Sequence, residues 1–319
     1  MKPIGRRTRR WLMRAAGSAL FLAVLLLVLP LEAVVAAFRA IPPATFALVL
    51  LGFLVAHVAA AMKWRLLLDN RIGVSRGLKA HFAGLAANLC LPGAIGGDAV
   101  RAGVAYGSLG NGPAVVAAAA ADRLVDLAAL LIVSLIGATE MFNPGAETKL
   151  AKVAIVLFCA AVVVLYALVQ LLPQIYRLAP KLPGRGFLVR LTEALGALAR
   201  RPLRLIFVLA TSIAIQMTLV LLAWWLAVAA GADARIGYWV FAWPLAKVIA
   251  VLPISLNGLG MREAALAAFL APHVSDPAMI VAAGLAWQAV MFAAGLIGGA
   301  IQLISREKPA ALTTGGSEL

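Results

Sequence analysis

The chain has 319 residues, 64% of them hydrophobic and 13% charged, with a formal net charge of +15. A soluble domain carries about 45–50% apolar and about 25% charged residues, and at this length it would lack the polar surface to cover so much apolar side chain. Composition therefore excludes a soluble globular domain, a disordered chain and a secreted disulfide scaffold, and leaves an integral membrane protein. Cys90 and Cys159 lie in apolar runs without metal-ligand spacing and read as packing residues.

A helix needs about 20 apolar residues to cross the hydrocarbon core. Six stretches meet that length, at 17–38, 44–64, 113–138, 151–172, 203–230 and 278–304. The first follows a basic segment, 2–14, that resembles a secretory or twin-arginine signal. Its apolar run exceeds 20 residues and lacks a polar, small-residue cleavage region, so it reads as the first anchor. Two more apolar regions, 78–106 and 238–270, are broken in the middle by Pro and Gly. Their halves have about 9–14 residues, or about 14–21 Å of helix, too short to cross alone. The expected fold is an all-α integral membrane domain with six transmembrane helices and two re-entrant helical hairpins. It divides into halves at 1–150 and 151–319, with a basic loop at 173–202 that is long enough for a surface helix.

On that arrangement twenty of the 28 Lys and Arg fall on one side of the membrane, Lys63 and Arg65 among them, and four on the other. Basic loops stay in the cytoplasm, so both termini are expected there. The excess charge reports topology, and nucleic acid is not needed to explain it.

The two broken regions resemble each other. LPGAIGGDAVR (91–101) and LPISLNGLGMR (252–262) both start Leu-Pro, run through glycines and place an Arg nine residues after the Pro. The offset is 161 residues, half the chain. Two spans precede the first region and five precede the second, so the hairpins should open to opposite faces. That is the pattern of an inverted-topology repeat, whose substrate sits near the midplane where broken helices meet.

Eight ionisable residues remain inside the apolar regions: Asp98, Arg101, Asp122, Arg123, Asp126, Lys247, Arg262 and Glu263. Each costs about 2.5–3.5 kcal/mol at the bilayer centre, so they should share a polar interior and compensate one another. Asp122 and Asp126 lie one helical turn apart and repel unless a cation comes between them, with Arg101, Arg262 or Lys247 as candidates. Asp98 is placed to cap a short helix from Ala99 and to reach Arg101 at i,i+3. The adjacent Arg262 and Glu263 should point apart. Gly93, Gly96, Gly97, Asn257, Gly258 and Gly260 would let a ligand approach the backbone at half-helix N-termini, which favour anions. With Arg101 and Arg262 they form a candidate phosphate cradle, and a structural ion-pair network without ligand is the alternative. His57 reads as a packed or hydrogen-bonded histidine, His81 as a lesser phosphate candidate, and Gln216 and Gln288 as residues that bond between helices or face a polar cavity. No metal or cofactor is expected.

KWRLLL (63–68), NLCLPGAIGGDAVR (88–101), ADR (121–123) and LPISLNGLGMREAAL (252–266) resemble the flippase-like membrane domain of the lysylphosphatidylglycerol synthase/flippase family, the multiple peptide resistance factor type. The resemblance runs from the second span to the last. It implies a membrane fold with two re-entrant segments and movement of lipid between leaflets. The lipid is aminoacylated phosphatidylglycerol in some relatives, while others are linked to polyprenol-phosphate or hopanoid pathways. The sequence ends 15 residues after the last expected span, so it is not expected to carry the soluble synthase domain or to make lysylphosphatidylglycerol.

The expected function is translocation of a phospholipid or polyprenyl-phosphate-type lipid, with a homodimer as the candidate assembly. A transporter of a small soluble anion and a non-transporting accessory subunit are the alternatives. No zinc-protease motif, nucleophile elbow or catalytic Cys–His pair is found, so no enzyme activity is expected.

Overall fold

The computed structural model describes residues 31–90, 95–141, 185–233, 235–250 and 260–305, and every element among them is helical. The expected span at 151–172, most of the span at 17–38, and Gly93, Asn257 and Gly258 lie outside these residues. Ten α-helices are described: α1 (Leu31–Ala40), α2 (Pro43–Leu67), α3 (Val74–Cys90), α4 (Ile95–Leu109), α5 (Gly112–Met141), α6 (Arg185–Ala199), α7 (Pro202–Ala229), α8 (Ile236–Ala250), α9 (Met261–Leu270) and α10 (Pro277–Ile304). Among the described residues, α2, α7 and α10 are long and apolar enough to cross a membrane. The 30-residue α5 is the longest helix and carries Asp122, Arg123 and Asp126 near its middle.

Local chemistry explains the helix starts. Both α2 and α7 begin with proline in the first turn, where its missing N–H costs nothing. Asn111 caps α5 by accepting a hydrogen bond from the Ala114 N–H at 3.1 Å, and Asp276 caps α10 through the Ala278 N–H at 2.8 Å.

The two broken regions each fold as a helical pair. The side chain of Asn88 on α3 accepts a bond from the Gly97 N–H of α4 at 2.9 Å. One turn back, Gly84 lies against Gly97 and Arg101, so α3 and α4 run antiparallel. In the second region Tyr238 stacks on His273 at 4.4 Å and Phe241 meets Phe269 at 6.2 Å, which sets α8 antiparallel to α9 and the turn beyond it. Three of the four helices are longer than the expected halves, with 17 and 15 residues in the first pair and 15 in α8, while α9 has 10 and falls within the expectation. Helix α3 is lengthened because it starts at Val74 and takes in the polar Ser75 and Arg76 before the apolar run. Hydropathy alone sets the shorter bound.

Packing between the halves is reciprocal. Helix α3 lies on α10, where Gln302 donates to the Lys79 carbonyl at 2.9 Å and Gly295 meets Leu89, an antiparallel contact. Helix α8 lies on α5, where the Ser134 hydroxyl donates to the Phe241 carbonyl at 3.0 Å and Gly137 meets Gly237, also antiparallel. A Cβ on Gly137 would fall 2.8 Å from the Gly237 oxygen, and one on Gly298 would fall 3.2 Å from the Phe82 carbonyl carbon. Both crossings thus depend on a glycine that brings backbones together, and these two glycines are again 161 residues apart. Helices α2 and α7 pack against each other in opposite directions, Gly52 beside Leu222 and Lys63 beside Ser212. The main apolar cluster fills the space around them, with Trp243 and Phe53 edge-on to Trp287 at 4.9 and 5.5 Å.

A charged cavity between the two helical pairs

A cavity of about 260 Å³ lies where α2, α3, α4, α5, α7, α8, α9 and α10 meet. Helix α2 presents one face to it through Phe53, His57, Ala60 and Lys63, spaced by three and four residues so that they stack along the helix. Arg65 is off that stripe and bonds the Ile72 carbonyl at 2.9 Å in the following loop.

One chain of ion pairs runs along the first side of the cavity. Arg123 on α5 binds Asp98 through Nε at 2.6 Å. Asp98 also faces Arg101 at 3.4 Å, the expected i,i+3 pair. Arg101 Nη2 binds Asp122 at 2.9 Å, and the other Asp122 oxygen lies 3.0 Å from Lys63 Nζ. Lys63 continues to Asp126, which also accepts a hydrogen bond from the Ser212 hydroxyl of α7. The Arg101 guanidinium sits 4.5 Å from the ring centre of the fully buried Trp64, a cation–π contact between two buried side chains. Four helices are joined by this network.

Several expectations are corrected here. The cation between Asp122 and Asp126 is Lys63, not Arg262 or Lys247, while Arg101 does reach Asp122. Lys63 is 2% exposed and belongs to the interior, although its place at the end of an apolar run suggests a loop residue. The signal that finds it is the shared helical face with His57. Asp98 does not cap a helix from Ala99, because α4 starts at Ile95 and holds Asp98 in its first turn. His57 has a partner: its Nδ1 lies 2.9 Å from Nε2 of His81, so the two imidazoles form one hydrogen-bonded pair across α2 and α3.

On the second side the arrangement is local. Arg262 does not point away from Glu263; its Nη2 binds Glu263 Oε1 directly. The physical reason is the helix start. Glu263 folds back so that its Oε2 accepts the Gly260 N–H at 2.9 Å, which carries its other oxygen over the first turn to the guanidinium. Gly260 has φ of 81°, a left-handed conformation that a side chain would strain. Arg262 also reaches Gln288 and the Gly284 carbonyl at 3.4 Å and lies 5.4 Å from the Trp243 ring centre. Lys247 donates to Gln216 at 2.9 Å, so both glutamines do bridge helices.

The structure therefore brings Asp98, Arg101, Asp122, Arg123, Asp126, Lys247 and Arg262 to one cavity, with Gly97 on its wall and Glu263 behind Arg262. Gly96 lies in the first turn of α4 beside them. Among the described residues, buried N–H groups without a hydrogen-bond partner include Nε of Arg101 and Arg262 and the indoles of Trp64, Trp239 and Trp243. Among the described residues no group of three metal-ligating side chains is found.

Comparison with curated proteins returns no match. The family model of the lysylphosphatidylglycerol synthase TM region matches residues 12–299, which take in both helical pairs, the cavity between them and most of the chain. The chain belongs to the lysylphosphatidylglycerol synthase transmembrane-region family.

Proposed function

We propose that this protein is a lipid translocase, moving a phospholipid or another phosphate-bearing lipid between leaflets of the inner membrane. The observation that carries the proposal is the charged cavity in a chain that is 64% hydrophobic, walled by cations and by buried N–H donors that lack acceptors. An unmet donor costs about 1–3 kcal/mol when buried, and phosphate oxygens supply the missing acceptors. Membership of a lipid-linked membrane family favours a lipid as the source of that phosphate. Its acyl chains would stay in the bilayer while the headgroup enters the cavity.

Two features support an inverted-topology repeat as the machine. Equivalent helices α2 and α7 run in opposite directions, and α3 on α10 mirrors α8 on α5 with a glycine at each crossing. The paired helices α3–α4 and α8–α9 would then be re-entrant from opposite faces, and rocking of one half on the other would expose the site alternately. The lopsided basic residues favour cytoplasmic termini. No catalytic role is assigned to the cavity.

Native mass spectrometry of the purified protein tests the proposal. A phosphate-bearing lipid should remain bound to the wild type and be lost on Arg101→Gln. Retention of the same lipid by that variant, with folding intact, would remove the cavity as its site.

A further inference from the structure

We infer that Lys247 is the phosphate-binding cation of the cavity, and that the site selects a headgroup carrying one net negative charge over zwitterionic and aminoacylated headgroups. This deepens the lipid-site reading and rests on it. Five cations face the cavity: Lys63, Arg101, Arg123, Lys247 and Arg262. Four carboxylates answer them. Asp98 holds Arg123 and Arg101, Asp122 holds Arg101 and Lys63, Asp126 holds Lys63, and Glu263 holds Arg262. The two breaks at 91–94 and 251–259 contain no ionisable side chain that could change this balance.

Among the described residues one positive charge is left over, and geometry locates it. Lys247 has the neutral amide of Gln216 as its hydrogen-bond partner, and among the described residues no carboxylate forms an ion pair with it. Of the surrounding carboxylates, Asp126 acts on its charge most, but that carboxylate is already engaged by Lys63 and Ser212. An uncompensated ammonium in an apolar protein is costly, and a phosphodiester supplies one negative charge and the acceptors to satisfy it. The orphan N–H of Trp243 and Arg262 Nε lie on the same wall.

The balance also states what is refused. A headgroup amine needs a free carboxylate, and all four are occupied. An aminoacylated phosphatidylglycerol would add positive charge to a site already in excess of it. The chemistry that fits is a phosphodiester with a short uncharged polar tail, within about 260 Å³.

The test is lipid titration of the purified wild type, Lys247→Gln and Lys247→Arg, read by native mass spectrometry. Phosphatidylglycerol, phosphatidylethanolamine, lysyl-phosphatidylglycerol and the soluble diester glycerophosphoglycerol are compared. Wild type should prefer phosphatidylglycerol about tenfold or more over the two amine-bearing lipids. Lys247→Gln should erase the preference and Lys247→Arg keep it, with both variants folded as judged by a cooperative thermal transition. Equal binding of the amine-bearing lipids, or an undiminished preference in Lys247→Gln, overturns the inference and leaves the lipid site standing. Binding of the soluble diester without any lipid overturns the lipid reading while keeping the anion role of Lys247. Binding of none of the four overturns both.

Discussion

The two helical pairs place an arginine at the same offset from a Leu-Pro break and use it in opposite ways. Arg101 is tied into a network that crosses from α4 to α5, and from there through Lys63 to α2 and α7. Arg262 is paired with the next residue of its own helix and leans on α10 through weaker contacts. Moving α3–α4 relative to the rest requires breaking ion pairs between elements. The charge pair of α8–α9 travels with its helix. The comparison suggests a division of labour, with the first pair as the fixed wall of the cavity and the second, which also brings Lys247, as the part that responds to a ligand.

The largest expected effect breaks the network at its centre. Asp122→Leu leaves Lys63 and Arg101 short of a carboxylate at a buried site and should cost about 3–5 kcal/mol of stability, read as denaturant or thermal unfolding in detergent. A cost under about 1 kcal/mol would show that the network is not structural.

Next, the two arginine pairs should differ when removed whole. Arg262→Met with Glu263→Gln keeps an acceptor for the Gly260 N–H and removes a self-contained pair, so its cost should stay near 1 kcal/mol. Arg101→Met with Asp122→Leu leaves Lys63 with Asp126 alone and cuts the ties between α4, α5 and α2, so it should cost more. Equal costs would erase the contrast between the halves.

Smaller effects are expected at the two glycine crossings. Gly137→Ala and Gly298→Ala each force a methyl against the facing backbone, at about 1–3 kcal/mol by overpacking. The Gly137 variant should suffer more, since its methyl would meet three backbone atoms within 2.8 Å, whereas at Gly298 only the Phe82 oxygen is that near and its carbonyl carbon is 3.2 Å away.

The smallest effect lies at the polar rim, where Asp69 in the loop after α2 meets Arg204 and Arg201. Burial pushes its carboxyl upward, and the Arg204 bond and charge, with Arg201 and Arg71, outweigh that and hold it below its usual 3.8. A depressed folded-state value contributes stability that is full above the unfolded value and lost as pH falls through the folded one. Asp69→Asn should therefore cost up to about 1 kcal/mol at neutral pH and nothing at the acid end, as measured by unfolding across pH. A cost that persists at low pH would show that the Asp69 charge is not its source.

Much of the site is visible in the sequence because intramembrane charge is costly and so stands out. The Leu-Pro-Gly repeat points to both helical pairs, and the i,i+3 spacing of Asp98 and Arg101 gives their contact directly. Partners on other helices are not visible, because they depend on how each helix is rotated. Lys63 shows this: counted by loop position it is a surface residue, yet the turn-spaced Phe53, His57 and Ala60 carry it inward. Glu263 shows a second limit, since a fold-back onto the Gly260 N–H reverses what adjacency along a helix implies.

The central claim is that this cavity carries a lipid headgroup across the membrane. Reconstituting the wild type into vesicles with fluorescent phosphatidylglycerol, and timing the loss of the inner-leaflet signal, tests it most directly. The account predicts movement well above that of protein-free vesicles, abolished by Arg262→Ala at equal folded protein. A wild-type rate equal to that of protein-free vesicles would contradict it.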